Sequence, residues 1–256
     1  MGVSQEGYDV SDRTITDADR NPQTVPAPID PMAYYFQDVL LLSKKDAVRL
    51  YLIRHGQSES NQARVEGRLS SYDPPLTKIG EEQAERVGAR MAAYGVDAIY
   101  ASPLQRAYNT AAPIARRTGL EIRVIGDLQE INEPDRDGSI DPNANRETAD
   151  HHAIKARFEA EPTWDNLPGG ETSAHFRERI ARAIEQIVEE CPGKRVAIAC
   201  HGGVIQTYVG MVLGLEKNDF PFYAFNASIT SVRAWGDRRA LWRLNDLAHL
   251  EGVQMT

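Results

Sequence analysis

With 256 residues, ordinary apolar and charged content and a formal net charge of −8, the chain holds material for one domain plus an appendage, or at most two small domains. The acidic balance speaks against nonspecific binding to nucleic acid or an anionic membrane, yet leaves room for an anionic substrate in a locally cationic pocket. No stretch approaches the roughly 20 apolar residues of a membrane span, and Cys191 and Cys200 are too few for a disulfide framework and lack metal-ligand spacing.

At the amino end, Met1 to Glu6 lack the basic and apolar parts of a secretory leader, so a cytoplasmic location is expected. Residues 1 to about 33 hold Pro22, Pro26, Pro28 and Pro31 among Asp, Thr and Ser, without apolar periodicity, and read as a solvated extension. Tyr34, Tyr35, Phe36, Val39, Leu40 and Leu41 would form a short helix docking this arm onto the body or onto a second subunit, which leaves a homodimer open. The expected division is an extension over residues 1–46 and a globular body over 47–250.

Val48 to Ile53 is a short, β-forming apolar run that stops at Arg54-His55-Gly56. Thr77 opens a helical period through Ile79, Ala84, Val87 and Met91 that ends near Gly95. Ala98 to Ala101 reads as a buried strand. Ser102 then serves as N-cap and Pro103 as first residue of a helix running to about Arg117, with Gly119 just beyond. Ile122 to Ile125 is a third strand. The polar, proline-punctuated stretch from Asn132 to Gly170 reads as an insertion or lid of about residues 132–170. Ser173 caps an amphipathic helix carrying Phe176, Ile180, Ile184, Ile187 and Val188, ended by Pro192-Gly193. Val196 to Cys200 is a strand stopping at His201-Gly202-Gly203, and a helix from Val204 to about Leu213 follows. Ile229–Trp235 and Ala240–Leu244, joined through Gly236-Asp237, form a terminal strand pair.

Strands alternating with amphipathic helices imply a three-layer α/β/α sandwich on a mostly parallel sheet. Such sheets bind ligands beyond the carboxyl ends of their strands, and the polar residues of interest collect there. Taken singly, each is ambiguous. Arg54-His55-Gly56 fits a phosphoryl-accepting nucleophile or a chance loop tripeptide, and His201 fits a site residue or a satisfied strand-end histidine. Arg106, in the first turn of a helix, offers a forked donor set to an anion at the helix N-terminus or lies on the surface. Glu130 is a proton donor or a solvated loop carboxylate. Together, two histidines, two arginines and a carboxylate at one sheet edge are the inventory for phosphoryl transfer through histidine.

Here the chain resembles the histidine phosphatase superfamily, also called the phosphoglycerate-mutase-like family. Leu52-Ile53-Arg54-His55-Gly56-Gln57-Ser58-Glu59-Ser60-Asn61 is similar to its signature. Leu76-Thr77-Lys78-Ile79-Gly80 with Gln83-Ala84, Ser102-Pro103-Leu104-Gln105-Arg106-Ala107 with Thr110, Leu128-Gln129-Glu130-Ile131, and Gly169-Gly170-Glu171-Thr172 follow in order. The resemblance covers roughly residues 47–250. It implies that His55 is the nucleophile, that Arg54, Arg106 and His201 hold the phosphate with Asn61, Ser58 and Gly202, and that Glu130 protonates the leaving group. It implies no metal and no cofactor, and a small phosphorylated molecule as the partner.

The chain departs from the family pattern in two places. Asn132-Glu133-Pro134-Asp135-Arg136-Asp137-Gly138 replaces a Gly-x-Trp-Glu-Gly-like run, which makes Glu133 a rival acid. Val65 to Tyr72 lacks the tryptophan of a Phe-Thr-Gly-Trp-like element found in mutases. His151 and His152 are a metal-binding pair or a solvated one, and Arg68 reaches substrate or solvent. Hydrolysis of a phosphate monoester is the expected activity. A cofactor-dependent phosphoglycerate mutase is the first alternative, and a low-activity regulatory phosphate-binding module that uses the 1–46 arm is the second.

Overall fold

The apolar runs of the sequence become one six-stranded sheet in the computed structural model, which describes residues 40–41, 44–65, 73–131, 149–166, 170–216 and 219–253. The strands are β1 (Val48–Arg54), β2 (Ala98–Ala101), β3 (Ile122–Val124), β4 (Arg195–Cys200), β5 (Ile229–Trp235) and β6 (Arg238–Asp246). Their order is β3-β2-β4-β1-β5-β6. The first four are parallel, and β5 and β6 extend the sheet antiparallel. The chain leaves β1, crosses to β2 and β3, and returns to insert β4 between β2 and β1. The end of β4 therefore lies beside the ends of both.

Among the described residues, six helices accompany the sheet: α1 (Glu59–Val65), α2 (Lys78–Tyr94), α3 (Gln105–Thr118), α4 (Ala149–Ala160), α5 (Ser173–Glu190) and α6 (Gly202–Val212). Alternate residues of a strand face opposite sides. Leu50 and Leu52 of β1 accordingly join Phe176, Ile180 and Ile184 of α5 and Val204, Ile205 and Tyr208 of α6 in one core. Ile53 joins Val87 and Met91 of α2 and Ala111 and Ile114 of α3 in the other. Each such aliphatic side chain, fully buried, contributes about 1.5–3 kcal/mol. Two cores, one on each face, make the three-layer sandwich that the alternation predicts.

Several local expectations change. Helix α3 starts at Gln105, with Leu104 at the cap position and no side-chain cap bond, so neither Ser102 nor Pro103 begins it. The helix end is met from far along the chain, the Asp73 carboxylate accepting from Gln105 N at 3.0 Å, while the Ser102 hydroxyl accepts from Leu104 N at 3.3 Å, one residue ahead of the helix. Thr172, not Ser173, caps α5, accepting from His175 N at 3.2 Å. Helix α6 begins at Gly202 with His201 as its N-cap residue, two residues ahead of the expected Val204. Strand β6 is longer at both ends than Ala240–Leu244.

Helices α1 and α4 answer to no expectation. The stretch 132–170 contains α4 and a short 3-10 turn at Trp164–Asn166; residues 132–148 and 167–169 lie outside the described residues, as do 1–39 and 66–72. The arm and most of its expected helix fall there, although Leu41 is buried against Ala47, Ala240 and Trp235. Among the described residues no helix is long and apolar enough to cross a membrane.

Candidate active site

The register of β1 on β4 pairs Arg54 with Cys200, so the next residues, His55 and His201, emerge side by side. His55 N donates to Cys200 O at 3.0 Å. The two imidazole centroids lie 5.3 Å apart with ring planes at 59°. Strand β2 pairs with the other side of β4, and Ser102 just beyond it puts its Oγ 2.8 Å from His201 Nε2. Three strand ends thus deliver His55, His201 and Ser102 to one spot by main-chain pairing alone.

The loop after His55 is gripped by backbone and small polar groups. His55 Nδ1 lies 2.7 Å from Gly56 O. A carbonyl only accepts, so Nδ1 carries the proton and Nε2 of the neutral ring keeps its lone pair. Gly56 N donates to Thr110 Oγ1 at 3.0 Å, and that hydroxyl donates to Arg106 O at 2.7 Å, which ties the His55 loop to the first turn of α3. Gln57 N donates to Gln83 Oε1 at 2.8 Å, and Thr77 N, at the cap of α2, donates to Gln57 O at 2.9 Å. The start of α2 presses so closely that a Cβ on Gly80 would stand 1.9 Å from Gln57 O, and one on Gly56 would stand 2.5 Å from Gly80 O.

The guanidinium groups arrive from two elements. Arg54 ends β1; its Nη1 donates to Ala224 O at 2.6 Å and to the Tyr223 hydroxyl at 3.3 Å, with the exposed Tyr223 ring 5.5 Å away. Its Nε is buried and has no hydrogen-bond partner among the described residues, and Gly202 lies alongside. Arg106 is almost wholly buried, with Nη1 3.6 Å from Asp73 Oδ1. Asn61 Oδ1 accepts from Ser58 N at 3.0 Å, from Ser58 Oγ at 3.0 Å and from Asn226 Nδ2 at 3.1 Å. Asn226 also donates to His55 O at 3.0 Å. Ser58 is spent on starting α1 and on Ser60, so it serves the loop's shape.

Glu130 reaches the same edge from the other direction. Its Oε2 accepts from Gly203 N at 3.2 Å, at the amino end of α6, where free N–H groups and the helix dipole favour a carboxylate. A Cβ on Gly203 would stand 2.4 Å from Glu130 Oε1 and 3.1 Å from Trp164 Cζ2. The Trp164 ring packs 4.3 Å from Phe220. Beneath lies Cys200, whose thiol is pushed far up in pKa by burial and then by the Glu130 charge; it stays protonated and inert.

Of the residues singled out in the sequence, His55, His201, Arg54, Arg106, Glu130, Asn61, Ser58 and Gly202 therefore converge on the carboxyl edge of β1, β2 and β4. Glu133 and Arg68 lie outside the described residues, as do the side chains of His151 and His152. Asn226, Tyr223, Trp164 and the Ser102 hydroxyl's link to His201 went unseen. Each acts across a long chain separation, and only the His-Gly-Gly strand end hinted at what Ser102 would meet.

An α/β fold with two adjacent imidazoles and two arginines at its strand ends defines a class of enzymes that handle phosphate. The family model of the histidine phosphatase superfamily (branch 1) matches residues 50–247, and the chain belongs to that superfamily. Phosphoglycerate mutase-like protein 4 of Arabidopsis thaliana is 30% identical over 206 residues, covering 75% of this chain and 86% of the relative. Among solved structures, Bacillus stearothermophilus YhfR is 28% identical, with a TM-score of 0.69 over 80% of this chain and 100% of that one. A mycobacterial glucosyl-3-phosphoglycerate phosphatase in complex with VO3 is 27% identical, with a TM-score of 0.61 over 77% and 98%. The activity of the chain falls in this phosphatase or mutase-like class.

Proposed function

We propose that the protein hydrolyses a small phosphate monoester through a phosphohistidine formed on His55 Nε2. The observation that carries this reading is the 2.7 Å contact from His55 Nδ1 to Gly56 O, which leaves Nε2 as the basic nitrogen of a buried ring. Nε2 attacks phosphorus as the bond from phosphorus to the leaving oxygen breaks, and Glu130 gives that oxygen its proton. Water then attacks the phosphohistidine, Glu130 takes a proton from it, and phosphate departs with His55 restored. Arg54, Arg106 and His201 hold the phosphoryl oxygens. Fixed cations suit a transfer whose barrier is set by positioning and spread negative charge, and the buried, unpartnered Nε of Arg54 is a donor suited to an anion.

Hydrolysis is preferred over phosphoryl exchange because Val65 to Tyr72 lacks the tryptophan of the mutase element, and a glucosyl-3-phosphoglycerate phosphatase is among the similar structures. The test is phosphorus NMR of the protein with 3-phosphoglycerate and a trace of the bisphosphate, beside a panel of sugar phosphates, nucleotides and phosphopeptides scored for released phosphate. Free phosphate from at least one monoester, without bisphosphate priming, is expected. Rapid appearance of 2-phosphoglycerate with little free phosphate overturns the reading in favour of a mutase.

A further inference from the structure

The Gly-Gly-Glu-Thr run ahead of α5 has no part in the chemistry above, yet Glu171 is nearly buried and engaged. Arg179, two turns into α5, grips it with a parallel pair: Nε to Oε1 at 2.7 Å and Nη2 to Oε2 at 2.8 Å. Its other donors go to the loop that carries Glu130. Nη1 donates to Asp127 O at 2.7 Å and to Gln129 O at 2.8 Å, and Nη2 donates to Glu130 O at 3.2 Å. The five N–H groups of one guanidinium are thereby used, three of them on main-chain oxygens of residues 127, 129 and 130. The ring of Phe176 supports it from 4.5 Å. The Glu130 side chain leaves from the end of this clamped segment and is seated on Gly203 N.

We propose that Arg179 and Glu171 are positioning residues for proton donation: Arg179 fixes the 127–130 backbone, and Glu171 fixes the plane of Arg179. The proposal rests on the reading of Glu130 as the proton donor. Altering one partner of a buried ion pair leaves the other charge uncompensated and is destabilising, so a purely structural role predicts a lower melting temperature and equal losses on all substrates. Positioning predicts a loss that depends on the leaving group, because a displaced acid matters where the departing oxygen needs a proton and hardly at all for an activated aryl ester.

The experiment compares kcat for a series of alkyl and aryl phosphates with wild type, Glu130→Gln, Arg179→Lys, Glu171→Gln and the Glu130→Gln/Arg179→Lys double variant. Lysine keeps the charge but cannot reproduce the fork. A displacement near 1 Å costs about 10²-fold, so Arg179→Lys should lose about that on alkyl phosphates and under about 3-fold on nitrophenyl phosphate, with KM little changed. Glu171→Gln should follow the same pattern more weakly, and it keeps the test alive if Arg179→Lys does not fold. The double variant should be no more selective than Glu130→Gln alone. A steeper leaving-group dependence for Glu130→Gln, with equal losses across the series for Arg179→Lys and Glu171→Gln, overturns the positioning role and spares the acid. An unchanged dependence for Glu130→Gln removes the acid assignment, and the positioning role with it.

Discussion

The two halves of the site are held in different ways. Around His55 the holding groups are main-chain amides, carbonyls and glycines: the pairing of His55 N with Cys200 O, the turn from Nδ1 to Gly56 O, and the contact of Gly56 and Gln57 with Gly80. Around Glu130 one main-chain amide, Gly203 N, meets the carboxylate, and the rest of the holding is done by the ends of long side chains, Arg179 and Glu171, with Trp164 alongside. Backbone contacts cannot yield without moving a strand or a helix, whereas side-chain ends move by rotation. The phosphate half should therefore fail by unfolding or by losing the reaction outright, and the acid half by losing selectivity.

The hardest break is His55→Ala. With the proposed covalent acceptor gone, turnover should drop by at least about 10⁴-fold, and acid-labile phosphate, trapped on the wild-type protein, should be missing. A variant that keeps even a tenth of the activity contradicts the phosphohistidine. Gly80→Ala comes next. Its Cβ would meet backbone at 1.9 Å, so the cost should lie at the upper end of overpacking, about 3 kcal/mol. Urea unfolding measures it, and a midpoint near wild type would show that the loop against α2 is softer than its packing implies.

Gly203→Ala sharpens the contrast. Its Cβ would meet the far end of Glu130 at 2.4 Å, a group that can swing, and alanine gains up to about 1 kcal/mol of helix propensity over glycine. Stability should change by less than about 1 kcal/mol while alkyl phosphate hydrolysis falls about 10-fold or more. Loss of stability without loss of that activity would erase the distinction between the halves.

The smallest effect concerns His249, whose Nε2 lies 3.0 Å from the carbonyl oxygen of Ala227, the residue whose own N–H donates to His55 O. Burial lowers its pKa below 6.5, opposed by the Ala227 carbonyl and Asp246, and the nearby Arg90 charge lowers it further. Between that lowered value and about 6.5 the unfolded chain binds more protons than the folded one. Stability therefore falls as pH drops through this window and is unaffected by His249 above about pH 7. Denaturation midpoints from pH 7.5 to 5 should decline less for His249→Gln than for wild type; parallel declines would mean that the ring is already solvated.

Legibility in the sequence follows the same division. His55 and His201 stood out because an apolar run ending in His-Gly needs only strand pairing to bring its end to the sheet edge. Helix α4 was hidden because its described side chains are mostly exposed and show no apolar stripe. Helix α1 begins inside the signature run, at Glu59–Asn61, where the residues read as chemistry rather than as a turn of helix. The cap assignment at Ser102 missed Asp73, which supplies the acceptor to Gln105 from 32 positions earlier. Nothing local marks Arg179, on an amphipathic helix, as the residue that three carbonyls and a carboxylate await.

The meeting of Gly56 and Gly80 also bears on how such an enzyme could be remade. Because the side chains of the phosphate half either meet the proposed phosphate site or hold the His55 loop, a mutant library aimed there would mostly return dead or unfolded clones. Tyr223 and Phe225 are exposed and meet edge to face at 5.0 Å on the loop that meets Arg54, and the tilted rings of Trp164 and Phe220 pack near Glu130. Diversity placed on Phe225, Trp164 and Phe220 would explore new leaving groups, whereas Tyr223, which touches Arg54, belongs with the machinery for the phosphoryl group that is inherited unchanged.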